Sequence, residues 1–151
     1  MRIWPRALAD EIEDAFAFLL PQGYRLIAKS AWGMGGRVTY RSAQLWIGIE
    51  WDRSEPWLDF APVGSAEAYD WDLVDHLLRG ARHFSRTKFT TLTARVPELA
   101  SFLQTRLADI EASFKAPMRE PTIAHLHAVR AERGALAKEW WDGLKRPKSQ
   151  D

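Results

Sequence analysis

Between residues 24 and 63 the apolar positions recur with a period of two, while on either side they recur with the period of a helix. Four stretches alternate or run apolar: Tyr24 to Trp32, Arg37 to Ser42, Leu45 to Asp52 and Trp57 to Val63. Gly33-Met34-Gly35-Gly36, Ala43-Gln44 and Arg53-Ser54-Glu55-Pro56 separate them, and their turn-forming composition predicts a four-stranded antiparallel β-meander. Ahead of it, Leu8, Ile12, Ala15, Phe16, Leu19 and Leu20 fall at helical spacing, opposite Asp10, Glu11, Glu13 and Asp14. Pro21 and Gly23 should stop this helix.

Three further helices are expected after the sheet. The first, Asp70 to Phe84, turns Trp71, Val74, Leu77, Leu78, Ala81 and Phe84 inward and Asp72, Asp75, His76, Arg79 and His83 outward. The second, Pro97 to about Lys115, buries Leu99, Phe102, Leu103, Leu107, Ile110 and Phe114. Pro117 to Pro121 interrupts the pattern, and the third runs from about Thr122 to Leu144 on Ile123, Leu126, Val129, Leu136, Trp140 and Trp141. Residues 1 to 146 read as one α+β domain and 147 to 151 as a frayed tail, with no internal repeat or linker.

Parity along the strands assigns the two faces of the sheet. With Arg53 to Pro56 as a four-residue loop, Asp52 lies opposite Trp57, Trp51 opposite Leu58, Glu50 opposite Asp59 and Ile49 opposite Phe60. Across Ala43-Gln44, Tyr40 meets Ile47 and Val38 meets Ile49, while Arg41 meets Trp46 and Arg37 meets Glu50. The core face is then Val38, Tyr40, Leu45, Ile47, Ile49, Trp51, Leu58 and Phe60. A regular loop at Gly33 to Gly36 turns Lys29 toward that face, yet Tyr24, Leu26 and Ala28 read as the buried set, so a bulge or irregular loop is expected at the glycines.

The other face carries Trp46, Trp57, Arg37, Arg41, Glu50, Asp52 and Asp59. Exposed tryptophans among charges of both signs are what protein interfaces use as anchors, and these seven are the candidate partner-binding residues. The plainer account is that Arg41 stacks on Trp46, Arg37 neutralises Glu50 and a helix of the same chain covers the rest.

Composition removes chemistry more than it adds any. There is no cysteine, which excludes disulfides, thiol nucleophiles and thiolate metal sites. No apolar run approaches the roughly 20 residues of a membrane span, and no secretory leader opens the chain, so a cytoplasmic protein without a membrane partner is expected. The formal charge is +1, but residues 1 to 78 hold 7 Lys/Arg against 12 Asp/Glu (−5) and residues 79 to 151 hold 14 against 8 (+6). Such polarity steers partners. Arg79, Arg82, Arg86 and Lys88, interleaved with Phe84 and Phe89, form the alternative candidate site, for a nucleic-acid backbone. A whole-chain pI of about 8.1 is low for that role, so protein is the preferred partner.

No reaction motif occurs. The glycines at 33, 35 and 36 precede a strand rather than a helix, unlike a phosphate loop. His76 and His83 are seven apart, and His125 and His127 two apart, neither at the spacing of a helical zinc pair. Glu50 opposite Asp59 could in principle do acid/base work, but Arg37 beside them argues for neutralisation. No catalytic residue, metal site or cofactor is expected, and the chain reads as a non-enzyme.

The order of residues adds one resemblance. A helix ending Phe18-Leu19-Leu20, then Gly23-Tyr24, Val38-x-Tyr40-x-Ser42, Ile47-x-Ile49 with Asp52-Arg53, and Trp57-Leu58 resembles small bacterial α+β proteins of the immunity-protein kind. These sit beside a polymorphic toxin and block it by binding. The likeness covers roughly residues 7 to 62 and carries no catalytic motif with it. It implies a protein partner, a cognate toxin, rather than a substrate.

Overall fold

The computed structural model describes residues 5 to 53, 55 to 80 and 95 to 144. Helix α1 (Pro5–Ala15) leads through a 3-10 helix (Ala17–Gln22) into an antiparallel sheet of five strands. These are β1 (Arg25–Trp32), β2 (Gly35–Arg41), β3 (Leu45–Asp52), β4 (Glu55–Pro62) and β5 (Tyr69–Asp70), in that spatial order. Helices α2 (Trp71–Leu78), α3 (Val96–Ser113) and α4 (Arg119–Leu144) follow. The α+β class and the antiparallel sheet are as expected; the fifth strand, only two residues long, is an addition to the expected four. Among the described residues no helix is long and apolar enough to cross a membrane.

One apolar core lies between the inner face of the sheet and the helices. Val38, Tyr40, Leu45, Ile47, Ile49, Trp51, Leu58 and Phe60 are all essentially inaccessible, as parity predicts. Leu8, Ile12 and Phe16 of the N-terminal segment and Leu99, Leu103, Leu107 and Ile110 of α3 close over them. Leu126 and Val129 of α4 join the same cluster, with Ile123 and Leu136 half-buried at its margin. Trp141, expected inside, is exposed, so the apolar stripe of α4 ends before its last turn.

The register between β2 and β3 is as expected, with Val38 opposite Ile49 and Arg37 opposite Glu50. That between β3 and β4 is shifted by two: Asp52 pairs with Glu55, Trp51 with Pro56, Glu50 with Trp57, Ile49 with Leu58 and Gly48 with Asp59. Glu55 and Pro56 belong to β4, leaving two residues in the connection instead of four. A proline fits a strand where the ladder on its outer side is absent, and β5 pairs only with Asp59 and Phe60. A shift of two preserves faces, so the core assignment survives while the cross-strand partners change.

At β1 the expectation is corrected. The irregularity lies between Leu26 and Ala28 rather than at the glycines, and the strand is exposed along its whole length. Only Gly33 and Met34 form the turn, since Trp32 already pairs with Gly35. Tyr24 is buried, but Leu26 and Ala28 are not. Lys29, opposite Val38, does face the helix side, where it hydrogen-bonds Asp10 and, at 2.6 Å, Glu13 of α1. Those two bonds, Asp10 first, hold its pKa above the ordinary lysine value.

Helix α2 is shorter than its apolar pattern suggests. Arg79 caps it and Gly80, at φ +67°, takes a left-handed turn, so the helix ends at Leu78; the rest of the expected helix, Ala81 to Phe84, lies outside the described residues. Its expected solvent side is also corrected: Asp72, Asp75 and His76 are buried. Helix α4 begins at Arg119 rather than Thr122, with Pro121 in its first turn, where a missing N–H costs nothing.

Candidate functional site: the outer face of the sheet

The observed register sets out the outer face in rows across the strands. From the β1–β2 turn inward these are Trp32, Gly35, Asp52 and Glu55; then Ser30, Arg37, Glu50 and Trp57; then Ala28, Thr39, Gly48, Asp59 and Asp70. The last row is Arg25, Arg41, Trp46 and Ala61. All seven residues expected to share this face do so.

Its centre is organised by Arg37. The guanidinium donates two hydrogen bonds to Asp59, at 2.7 and 2.8 Å, and lies 3.8 Å from Glu50. Reaching Asp59 means crossing β3 on the diagonal, and only a glycine at position 48 leaves room. A Cβ built there would lie 2.1 Å from Arg37 Nη2 and 2.5 Å from Asp59 Oδ1. The Arg37 and Asp59 side chains are 32% and 17% exposed, so the pair is partly desolvated and stronger than a surface ion pair. Hydrogen bonding to Asp59 raises the Arg37 pKa further. The expected neutralisation of Glu50 by Arg37 is thus secondary, with Asp59 the main partner.

Next to this pair, Arg41 lies over the Trp46 ring at 4.9 Å from its centroid, as the stacking expectation has it. Trp46 and Trp57 are half-buried and Asp52 is exposed. The Glu50–Asp59 opposition does not form: Glu50 faces Trp57, and Asp59 is committed to Arg37. Both Asp59 oxygens are thus engaged by the Arg37 guanidinium.

The chain matches no protein-family model, and no curated protein or solved structure matches it.

Of the alternative basic site, Arg79 is held by Asp75 at 2.7 Å, one turn back on α2. Arg82, Arg86 and Lys88 lie outside the described residues.

A second polar cluster escaped the sequence reading. His127 Nε2 lies 2.9 Å from Glu67 and 3.1 Å from the Tyr69 hydroxyl. Arg130 covers the Tyr69 ring at 4.7 Å and donates to Ala68 O, and Arg133 forms two hydrogen bonds to Asp70, at 3.0 and 2.7 Å. Asp70 also caps α2 by accepting from Leu73 N. Burial, followed by the neighbouring Asp70 carboxylate, pushes the Asp72 carboxyl above its usual range, with Arg133 3.9 Å away as partial relief. The signal in the sequence was the spacing of His127, Arg130 and Arg133 at three residues, which lines one side of a helix, opposite Glu67 and Asp70. Each of these groups ties α4 to the segment leading into α2, which is a packing role. Among the described residues no three His, Asp or Glu side chains converge as a metal site.

Proposed function

We propose that this chain is a non-enzymatic, cytoplasmic protein-binding protein of the immunity or inhibitor kind, which neutralises a bacterial toxin by laying the outer face of its sheet against it. What supports this reading is the way the face is prepared. Its central charges are already paired through Arg37 and Asp59, so little further desolvation is required there, while Trp46 under Arg41 and Trp57 packed at the core margin are half-buried and held in place, and each leaves part of its surface accessible. Glu50, Asp52 and Arg41 then supply selectivity through charge complementarity. A nucleic-acid role through Arg79, Arg82, Arg86 and Lys88 has less in its favour, because Asp75 already engages Arg79.

The test is affinity capture followed by paired measurements on variants. Trp46→Ala, Trp57→Ala and Asp52→Lys should each weaken binding to the captured protein by more than about 1 kcal/mol. Asp52 is the better charge probe, because reversing Asp59 would also break the Arg37 pair. Melting temperature is measured on the same variants so that lost affinity counts only where folding is intact. Arg82→Glu with Arg86→Glu should leave that binding unchanged. Unchanged affinity in all three face variants, or capture of nucleic acid with steep salt dependence, overturns the proposal.

A further inference from the structure

The charges on the outer face are ordered along the strands. At the end beside the β1–β2 turn stand Asp52 and Glu55, with Glu50 one row in and Trp32 at the β1 edge. At the opposite end stand Arg25 and Arg41, beside Trp46. Between them Ala28, Thr39 and Gly48 keep the surface low, and Arg37 and Asp59 cancel. Arg53 belongs to the connection beyond Asp52, past the end of the strands.

We propose that a second copy of this chain docks face to face on this surface, about a two-fold axis that lies between the two sheets and runs across the strands. Rotation about that axis reverses strand direction while keeping each strand over its own counterpart. The Arg25 and Arg41 end of one protomer then covers the Asp52 and Glu55 end of its partner, and the same contacts recur by symmetry. Arg25 of one copy meets Trp32 of the other, a cation over an indole, and Arg41 reaches Asp52 one strand across, a displacement that the roughly 30° turn of aligned sheets accommodates. A two-fold axis along the strands would instead set acids on acids and arginines on arginines. Charge therefore selects one of the two arrangements.

The area limits how tight this is. Four strands about 4.8 Å apart, each about 26 Å long, project roughly 500 Å². A standard interface buries about 800 Å² per partner, so the dimer falls at the weak end, with Kd of roughly micromolar order. This goes beyond the toxin-binding reading, since the occupant is supplied by the chain itself and a toxin would compete with it for the same face.

Sedimentation velocity of the full chain over a concentration series, with no other protein present, tests the idea. The wild-type chain should show a concentration-dependent monomer–dimer equilibrium that weakens with salt. Arg41→Glu and Asp52→Arg should each weaken dimerisation about tenfold or more, because every contact occurs twice, with melting temperatures unchanged. An equimolar mixture of the two variants should recover the dimer as a heterodimer, since Glu at 41 then faces Arg at 52 and Asp52 faces Arg41. The double variant R41E/D52R should recover it as a homodimer. A wild-type chain that stays monomeric to millimolar concentration, a dimer indifferent to both substitutions, or failure of the mixture to recover overturns the proposal. None of those results touches toxin binding, which is measured with a captured partner and dilute chain.

Discussion

Gly48→Ala is a one-methyl change whose effect should have the opposite sign from the usual one. Replacing glycine by alanine inside a strand ordinarily stabilises by about 0.5–1 kcal/mol, because glycine loses more backbone freedom on folding. Here the new Cβ would sit 2.1 Å from Arg37 Nη2 and 2.5 Å from Asp59 Oδ1. Both are the far ends of flexible side chains, so β3 itself need not move and the cost is that of displacing the ion pair. Two charge-assisted hydrogen bonds in a partly desolvated site contribute about 1.5–3 kcal/mol, and Glu50, already 3.8 Å from Arg37, offers the guanidinium a fallback that limits the loss. The net expectation is a destabilisation of about 1–2 kcal/mol, or about 3–6 °C in melting temperature for a chain of this size. The assay is a double-mutant cycle by thermal and urea unfolding, with Gly48→Ala placed in the wild-type chain and in an Arg37→Met/Asp59→Asn background. With the pair gone, the same methyl should become neutral or stabilising. A rise in melting temperature in the wild-type background, or an equal loss in both, would refute the view that Gly48 exists to let Arg37 cross the strand.

Three other perturbations read different parts of the fold. Ile49→Asp should unfold the chain, since Ile49 is fully buried against Val38 and Leu58, whereas Thr39→Asp, one face over, should retain a cooperative unfolding transition; equal stability of the two would invert the face assignment. Asp72→Asn should raise the melting temperature at neutral pH. Its folded pKa is raised above the ordinary 3.8, so the penalty is absent below that pH and grows as pH rises through the folded value; a gain that persists in strong acid would point elsewhere. Lys29→Ile should promote concentration-dependent aggregation, read by light scattering, because it removes the only charge between Arg25 and Trp32 from an exposed strand; a variant as soluble as wild type would show that Lys29 has no such role.

Parity is legible in the sequence, and it survives a register slip of two. The eight inner-face residues from Val38 to Phe60 are all buried although the β3–β4 register is off by two, because a slip of two residues leaves every side chain on its own face. The slip arose from Pro56, whose composition signals a loop and whose place in β4 depends on how short β5 is, a fact with no local signature. Lys29 shows the reverse failure. Its parity pointed to the helix side, and only the positions of Asp10 and Glu13 on a distant helix make that tolerable. Asp72 and Asp75 read as a solvent face for the same reason, since helical spacing does not reveal that both are buried or that another helix brings Arg133 near Asp72. On the outer face, parity places the seven residues together but does not give their central pairing, because Arg37 reaches Asp59 diagonally through a clearance that only the observed register creates.

The edges of the sheet bear on the proposed face-on association. An open edge strand normally recruits another strand through its free N–H and C=O groups, which would make strand addition the obvious route to a partner. On β1 that route is obstructed twice, by the irregularity between Leu26 and Ala28 and by a lysine turned toward the helix side and held there by Asp10 and Glu13. On the other side, among the described residues, only Asp59 and Phe60 of β4 pair outward, Pro56 ahead of them lacks a donor, and β5 offers two residues, one of them Asp70, whose carboxylate is taken by Arg133. With both edges made poor templates, the part of the sheet that carries tryptophans beside charges is its outer face. Its neutral centre and oppositely charged ends specify an orientation rather than mere stickiness. That division of labour, edges closed by local irregularity and a face kept low by Gly48, is what supports the proposed face-on recognition over strand addition.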